Sequence, residues 1–194
     1  MKRLVIAIDC DDVLIHTTEF VANIYNQLYG THVALRSAHD SRNPEWAADR
    51  DTVLSRIAEI QHMPEYGAIK PDTNTIKVVE RLSEKHELHM VTARHDEVLD
   101  VTETMIDMYF AGAFTSINHT GDSSKGDMCS ALSADIMVDD SLKHLITARD
   151  CGVQWRVWFG SYPWQAGADD VTAYTSRARD WLDVEREIER IANG

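Results

Sequence analysis

Residues 4 to 14, LVIAIDCDDVL, decide how this chain reads. Five apolar residues, Leu4 to Ile8, run without interruption and stop at Asp9; Asp11 and Asp12 follow, then Val13 and Leu14. An unbroken apolar run bounded by polar residues is the pattern of a strand buried on both faces of a parallel sheet. In open α/β sheets, sites lie just beyond the carboxyl ends of the strands, where Asp9 and Asp11 fall. A carboxylate at the mouth of an apolar strand is costly unless it is paired, hydrogen-bonded or metal-bound. Three aspartates within four residues also repel one another, and a divalent cation relieves that repulsion. The same letters fit a strand followed by an Asp-rich turn, because Asp favours turns. The rest of the chain must separate the two.

At 194 residues the chain suits one domain with a modest insertion and a sizeable core. Its 32 Asp and Glu against 19 Lys and Arg give a net charge of -13. That balance argues against a nucleic-acid polymer or an anionic membrane as partner. A small anionic substrate would need a local positive site or a metal. Cys10, Cys129 and Cys151 form no CxxC pattern and cannot all pair, which suits a reducing compartment. Cys10 lies between two aspartates, either as a nucleophilic thiol or as a small buried side chain. Lys2 and Arg3 before an apolar run resemble the start of a signal peptide, but the run ends too soon at Asp9. No apolar segment is long enough to span a membrane. The chain reads as soluble and cytoplasmic.

After Leu14 the period changes. Phe20, Val21, Ile24 and Leu28 share a helical face over 17–29, closed by Gly30. A polar stretch over 31–44 follows, then a second amphipathic helix over about 45–61 with Trp46, Val53, Leu54, Ile57 and Ile60, then a loop, MPEYGAIKPDT. This segment reads as a small helical insertion standing over the first strand's carboxyl end as a lid. From residue 73 the pattern alternates: helix 73–85, strand ELHMVT ending at Thr92, helix 97–110, strand FTSIN, a helix opening near Lys125, strand DIMV leading into Asp139 and Asp140, helix 142–149, strand VQWRVWF, and a last helix over 180–191. Alternation of this kind means a parallel sheet with helices on both faces. Three strand ends and one helix start therefore bring Asp9, Asp11, Thr92, Lys125, Asp139 and Asp140 towards one rim.

IDCDDVL, VTAR, Lys125 and VDD, in this order, resemble the four motifs of the haloacid dehalogenase-like (HAD) superfamily, over essentially the whole chain. The resemblance implies an α/β, Rossmann-like doubly wound parallel sheet with a small α-helical cap inserted after the first strand. It divides the chain into a core of 1–15 and 67–194 and a cap of 16–66. It implies Asp9 as the nucleophile that takes the phosphoryl group, and Asp11 as general acid/base. Thr92, with Ala93 and Arg94 beside it in VTAR, would bind the phosphoryl oxygens. Lys125 would neutralise nucleophile and phosphate. Asp9, Asp11 through its main-chain carbonyl, and Asp139 would hold Mg²⁺, with Asp140 supporting. Arg94 either pairs a substrate phosphate or serves the structure. Asp11 favours the phosphatases of the superfamily over its carbon–halogen hydrolases, which lack an acid/base Asp there.

These residue types suit the chemistry independently. Phosphoryl transfer needs positioning and positive charge more than covalent machinery, and Mg²⁺ takes a few carboxylates while leaving room for waters and substrate oxygens. The expected substrate is a small phosphorylated molecule. Within the superfamily the chain resembles the 5'(3')-deoxyribonucleotidases and their microbial relatives, through TAR, K-x-D-x-C, IMVDDS and VWFGSYPW. That points to a nucleotide, with a sugar-phosphate phosphatase or a phosphotransferase on the same site as alternatives. A non-catalytic binding protein on the same fold is the alternative of another class. Nine histidines show no HExxH spacing. His16 either lines the pocket or lies on the surface, and Trp155, Trp158 and Trp164 either stack on a base or pack against the last helix. Nothing in the sequence sets an oligomeric state.

Overall fold

The computed structural model describes residues 2–168 and 170–194. Six strands, β1 (Val5–Ile8), β2 (Glu87–Thr92), β3 (Ser116–His119), β4 (Ile136–Asp139), β5 (Trp155–Phe159) and β6 (Ser176–Ala178), form one sheet in the order β3-β2-β1-β4-β5-β6. Every neighbouring pair is parallel. Ile8 is in register with Met90 of β2 on one side and Val138 of β4 on the other. The chain winds from β1 out to β3, then returns to the far side of β1 to lay down β4. The order reverses between β1 and β4, and in such sheets the crevice opens at the carboxyl ends there. Asp9 leaves β1 at that point.

The apolar runs have two faces because successive strand side chains alternate. Ile6, Ile8, Met90, Ile136 and Val138 face the layer formed by α4 (Thr73–Ser83), α5 (Leu99–Phe110) and α8 (Trp181–Asn193). Ala7, Val91, Met137 and Trp158 face α6 (Lys125–Ala131) and α7 (Leu142–Asp150). Burying a large apolar side chain contributes roughly 1.5–3 kcal/mol, so the central strands hold the sheet firmly on both sides. The architecture is the α/β doubly wound sheet that the alternation implies.

Between β1 and α4 lie α1 (Thr17–Tyr29), α2 (Arg50–Gln61) and the single turn α3 (Pro64–Gly67). They close on a cluster of their own, with Val21, Tyr25, Trp46, Val53, Ile60 and Tyr66. Two of its polar groups are satisfied within the same segment: the Tyr25 hydroxyl donates to the Trp46 carbonyl at 3.1 Å, and the Trp46 indole N–H to the Asp40 carbonyl at 3.0 Å. Gly30 ends α1 in the left-handed region at φ 64°, as its position at the end of the pattern implies.

Four local expectations change. The helix expected over 45–61 is divided: Pro44–Trp46 is a 3-10 turn capped by Asn43, Ala47 turns left-handed at φ 52°, and α2 starts at Arg50 with Asp49 as its cap. Two good capping side chains outweigh a continuous apolar stripe. The stretch MPEYGAIKPDT contains α3, started by Pro64 at its first turn. The third strand begins at Ser116, because Phe114 packs edge-on against Phe110 instead. The short edge strand β6, beside β5, has no apolar run to signal it.

Candidate active site

The backbone leaves β1 by one extra rung, the Asp9 N–H donating to the Val138 carbonyl at 3.0 Å. A tight loop follows, in which the N–H groups of Leu14 and Ile15 both donate to the Cys10 carbonyl. Asp12 sits in the left-handed region at φ 57°, which a short polar side chain tolerates. Its carboxylate accepts from the Thr18 N–H at 3.1 Å and from the Thr18 hydroxyl. It thereby closes the start of α1, whose own cap residue, His16, makes no capping bond. The Asp-rich turn and the Asp-rich site are the same structure: Asp12 serves the turn and, with Asp9 and Asp11, lines the cleft.

Lys125 opens α6 and is 1% exposed. Gly126 beside it lets α6 lie directly on α7, since a Cβ there would stand 2.3 Å from the Thr147 carbonyl oxygen. The ammonium sits between two carboxylates, 2.7 Å from Asp9 Oδ1 and 2.8 Å from Asp139 Oδ2. Burial works against its charge, but Asp139 and Asp9 outweigh it and hold the pKa above the ordinary lysine value. Asp139 Oδ1 accepts the Ser141 N–H at 2.8 Å, so both its oxygens are engaged.

Asp140 is different. It is 6% exposed, yet among the described residues its carboxylate meets only the Trp164 indole N–H at a long 3.4 Å and His39 at 4.0 Å. Burial, then Asp139, Asp9 and Asp12, push its pKa well up. Asp9 is pushed up as well, first by burial, with Lys125 opposing. Oxygens of Asp9, Asp139 and Asp140 lie within 4.8 Å of one another. Three buried carboxylates against one ammonium leave excess negative charge, and a divalent cation would neutralise it.

Asp11, on the other flank, is gripped by Arg94: Nε to Oδ2 at 3.0 Å and Nη2 to Oδ1 at 2.8 Å. The guanidinium also donates to Thr102 Oγ1 and to the Tyr66 hydroxyl, both at 3.0 Å. Tyr66 in turn donates to Asp11 Oδ1 at 3.3 Å. Burial would raise the Asp11 carboxyl, but Arg94, joined by Thr17 and Lys125, reverses this and holds it below its usual value. These groups surround a cleft of about 300 Å³ between the sheet rim and the lid.

Asp9, Asp11, Ala93, Lys125 and Asp140 line that cleft; Asp139 lies behind Lys125. Thr92 is fully buried, its hydroxyl accepting the Arg94 N–H at 3.3 Å, and does not reach the cleft wall. Arg94 was open to a phosphate or to a structural partner; the partner is Asp11 itself. Cys10 is buried in the core, and burial pushes its thiol pKa up, away from nucleophilic use. His16 lies outside the cleft, 3.1 Å from Asp72. Trp158 packs in the core and Trp155 lies against α8, while Trp164 stacks between His39 and Tyr162 at 4.4 Å from each. Sequence reasoning missed Tyr66, Gln61 and His39 as cleft residues. Their only signal was membership of the segment over the strand end.

No family model and no curated protein matches the sequence. Solved structures do match it by shape. The chain aligns over 96% of its length with 98% of a haloacid dehalogenase-like hydrolase from Streptococcus pneumoniae, at a TM-score of 0.70 and 13% identity. The fold is that of the haloacid dehalogenase-like hydrolases. A predicted phosphatase from Clostridium acetobutylicum gives a TM-score of 0.69 at 13% identity, covering 98% of this chain and 100% of that one. The HAD hydrolase YfnB from Bacillus subtilis, solved bound to magnesium, gives 0.65 at 11% identity over 100% of both chains. Identities this low establish a shared fold. Among the described residues no helix is long and apolar enough to cross a membrane.

Proposed function

We propose that this protein is a Mg²⁺-dependent phosphomonoester hydrolase of the HAD type, working through Asp9 in a core of residues 1–15 and 67–194 under a cap of 16–66. The observation that carries this reading is the buried set Asp9–Lys125–Asp139, with the poorly partnered Asp140 next to it at the switch point of the sheet. The ammonium on the Asp9 carboxylate opposes the burial that favours its protonated form, and it meets the incoming phosphoryl charge.

In the first step an Asp9 oxygen attacks phosphorus, the bond to the ester oxygen breaks, and the leaving alcohol takes a proton from Asp11. In the second, water gives a proton to Asp11 and attacks phosphorus. The Asp9–phosphorus bond breaks, and inorganic phosphate leaves with the enzyme restored. Lys125 and the backbone at Ala93 hold the phosphoryl oxygens, with Thr92 and Arg94 shaping the wall behind. The donor set fits Mg²⁺: Asp9, Asp140 and the main-chain carbonyl of Asp11 would hold it. Asp139, whose oxygens serve Lys125 and Ser141, orients the lysine instead. That exchanges the roles that the motif order alone assigns to Asp139 and Asp140. Bound there, the metal supplies the positive charge that lets an anionic ester approach an acidic site.

The narrower reading is a nucleotidase acting on (deoxy)nucleoside monophosphates, supported by the motif resemblance and by the aromatic residues Trp46 and Tyr66 lining the cleft. A phosphatase for sugar phosphates, or transfer to an alcohol in place of water, would use the same machinery. The deciding experiment measures phosphate release from a panel of phosphomonoesters with Mg²⁺ and with chelator. Release that needs the metal is the expected result. Mg²⁺ binding without release from any ester overturns the reading in favour of a binding protein.

A further inference from the structure

On the lid side the cleft is lined by Val21, Trp46, Ile57, Gln61 and Tyr66, together with Thr17, Thr18 and His39. None of the first five is a cation, and the polar tips of both aromatics already have partners: the Trp46 indole N–H on Asp40, the Tyr66 hydroxyl on Asp11 and Arg94. The lid's uncharged polar groups in the lining are the Gln61 amide, hydrogen-bonded to Tyr66, and the Thr17 and Thr18 hydroxyls, engaged with Asp11 and Asp12. The cations nearby face elsewhere. Lys125 is held by Asp9 and Asp139, and Arg94 by Asp11, Thr102 and Tyr66. Arg56, on the same helix as Ile57 and Gln61, turns to the other side, donating to the Tyr25 hydroxyl at 2.9 Å and lying 4.0 Å over the Tyr29 ring. His39 faces Asp12 at 3.5 Å and Asp140 at 4.0 Å. His144, the remaining basic side chain of the lining, has its pKa lowered by burial.

A substrate placing its phosphoryl group at Asp9 would lay its alcohol portion against this lid. A second anionic group there would lose hydration, find no free cation among the described residues of the lining, and face Asp11, Asp12 and Asp140. We infer that the cleft selects phosphomonoesters of uncharged, partly apolar alcohols, aryl or nucleoside in type, and rejects esters whose alcohol carries a carboxylate or a second phosphate. The inference rests on the proposed phosphatase reading and adds the substrate class that the lid admits.

The test compares kcat/KM of the full-length protein with Mg²⁺ for p-nitrophenyl phosphate, a deoxynucleoside 5'-monophosphate, phosphoglycolate and 3-phosphoglycerate. The two uncharged alcohols should exceed the two carboxylate-bearing ones by at least about tenfold. Equal or better turnover of the carboxylate esters overturns the inference and leaves the phosphatase reading intact. No release from any ester overturns both. Ile57→Lys and Gln61→Lys each place an ammonium on the lid from a half-buried position. Either variant, folded by circular dichroism, should raise the ratio of phosphoglycolate to p-nitrophenyl phosphate turnover by about tenfold. An unchanged ratio in both folded variants counts against the inference.

Discussion

Arg94 holds Asp11 by both oxygens, at 3.0 and 2.8 Å, from a side chain only 2% exposed. A fork of this kind is among the stronger hydrogen-bonded ion pairs. It favours the carboxylate, so Asp11 is better prepared to take a proton from water than to give one to a leaving alcohol. Arg94→Met removes the opposing charge and leaves the burial that raises the carboxyl. The acidic limb of the kcat/KM profile for p-nitrophenyl phosphate should move to higher pH, with a loss of about tenfold or more at neutral pH. A limb that stays in place would show that Asp11 is not the titrating base. By the same linkage, the pair contributes stability that is present above the ordinary carboxylate value near 4 and lost as pH falls through the lowered one.

Asp9→Asn changes one oxygen to an amide in a site 5% exposed, keeping size and shape. The variant has no carboxylate with which to attack phosphorus. Turnover should fall by at least about a thousandfold, while the thermal midpoint stays at or above that of the parent because one buried negative charge has gone. Turnover close to the parent's would remove Asp9 from the mechanism.

The rim of the sheet was legible because each of its residues interrupts a local pattern. Asp9 ends an apolar run, Thr92 and Asp139 close strands, and Lys125 opens a helix after a capping Ser124. The lid was legible only as an insertion. Tyr66 reaches Asp11 from 55 residues away and Trp164 reaches Asp140 from 24, contacts set by tertiary packing that no period of 2 or 3.6 encodes. The division between Asp139 and Asp140 was equally hidden. Adjacent letters on a strand end point to opposite sides, and only the position of Lys125 shows which of them is engaged.

Asp9 and Asp140 both have pKa values above the ordinary carboxylate range, Asp9 at about 8, with burial as the first cause. A raised folded value means that the native state holds protons which the unfolded chain has released. Stability of the metal-free protein should therefore fall as pH rises from about 4 towards 8. Mg²⁺ stabilises by binding the folded state, and its effect should grow over the same range as the carboxylates ionise. Thermal melts at pH 5.5 and 7.5, with Mg²⁺ and with chelator, check both slopes. Asp140→Asn should flatten the chelator series and shrink the metal response. A metal-free protein that is more stable at pH 7.5 than at 5.5 would contradict the assignment of buried excess negative charge.

Gly126 is a sequence-local requirement for placing Lys125. An added Cβ meets backbone, the Thr147 carbonyl oxygen at 2.3 Å, which no rotamer change can relieve. Gly126→Ala must push α6 off α7 and carry the neighbouring lysine with it. A stability loss of about 1–3 kcal/mol is expected, together with a drop in kcat larger than the change in KM. Gly67→Ala, at another helical glycine without positive φ whose added Cβ would meet only Val101 Cγ1 at 3.4 Å, controls for replacing a helical glycine where there is room.

The stack His39–Trp164–Tyr162 ties the lid to the core. His39 lies in the polar stretch between α1 and α2, whereas Trp164 and Tyr162 follow β5. The Tyr162 hydroxyl donates to the Asp12 carbonyl at 2.6 Å, and Gly160, at φ 87°, leaves the space its ring occupies. Each ring pair contributes about 0.5–1.5 kcal/mol beyond its buried area. Trp164→Ala deletes both pairs and the 3.4 Å contact to Asp140 while leaving Asp9, Asp11 and Lys125 in place. The lid should then spend more time away from the rim. KM should rise about tenfold with a smaller change in kcat, and amide exchange over 31–49 should quicken. Trp164→Phe, which keeps a ring between His39 and Tyr162, should recover most of the KM. If Phe and Ala behave alike, the indole N–H to Asp140 is what matters, and the stack is not the latch.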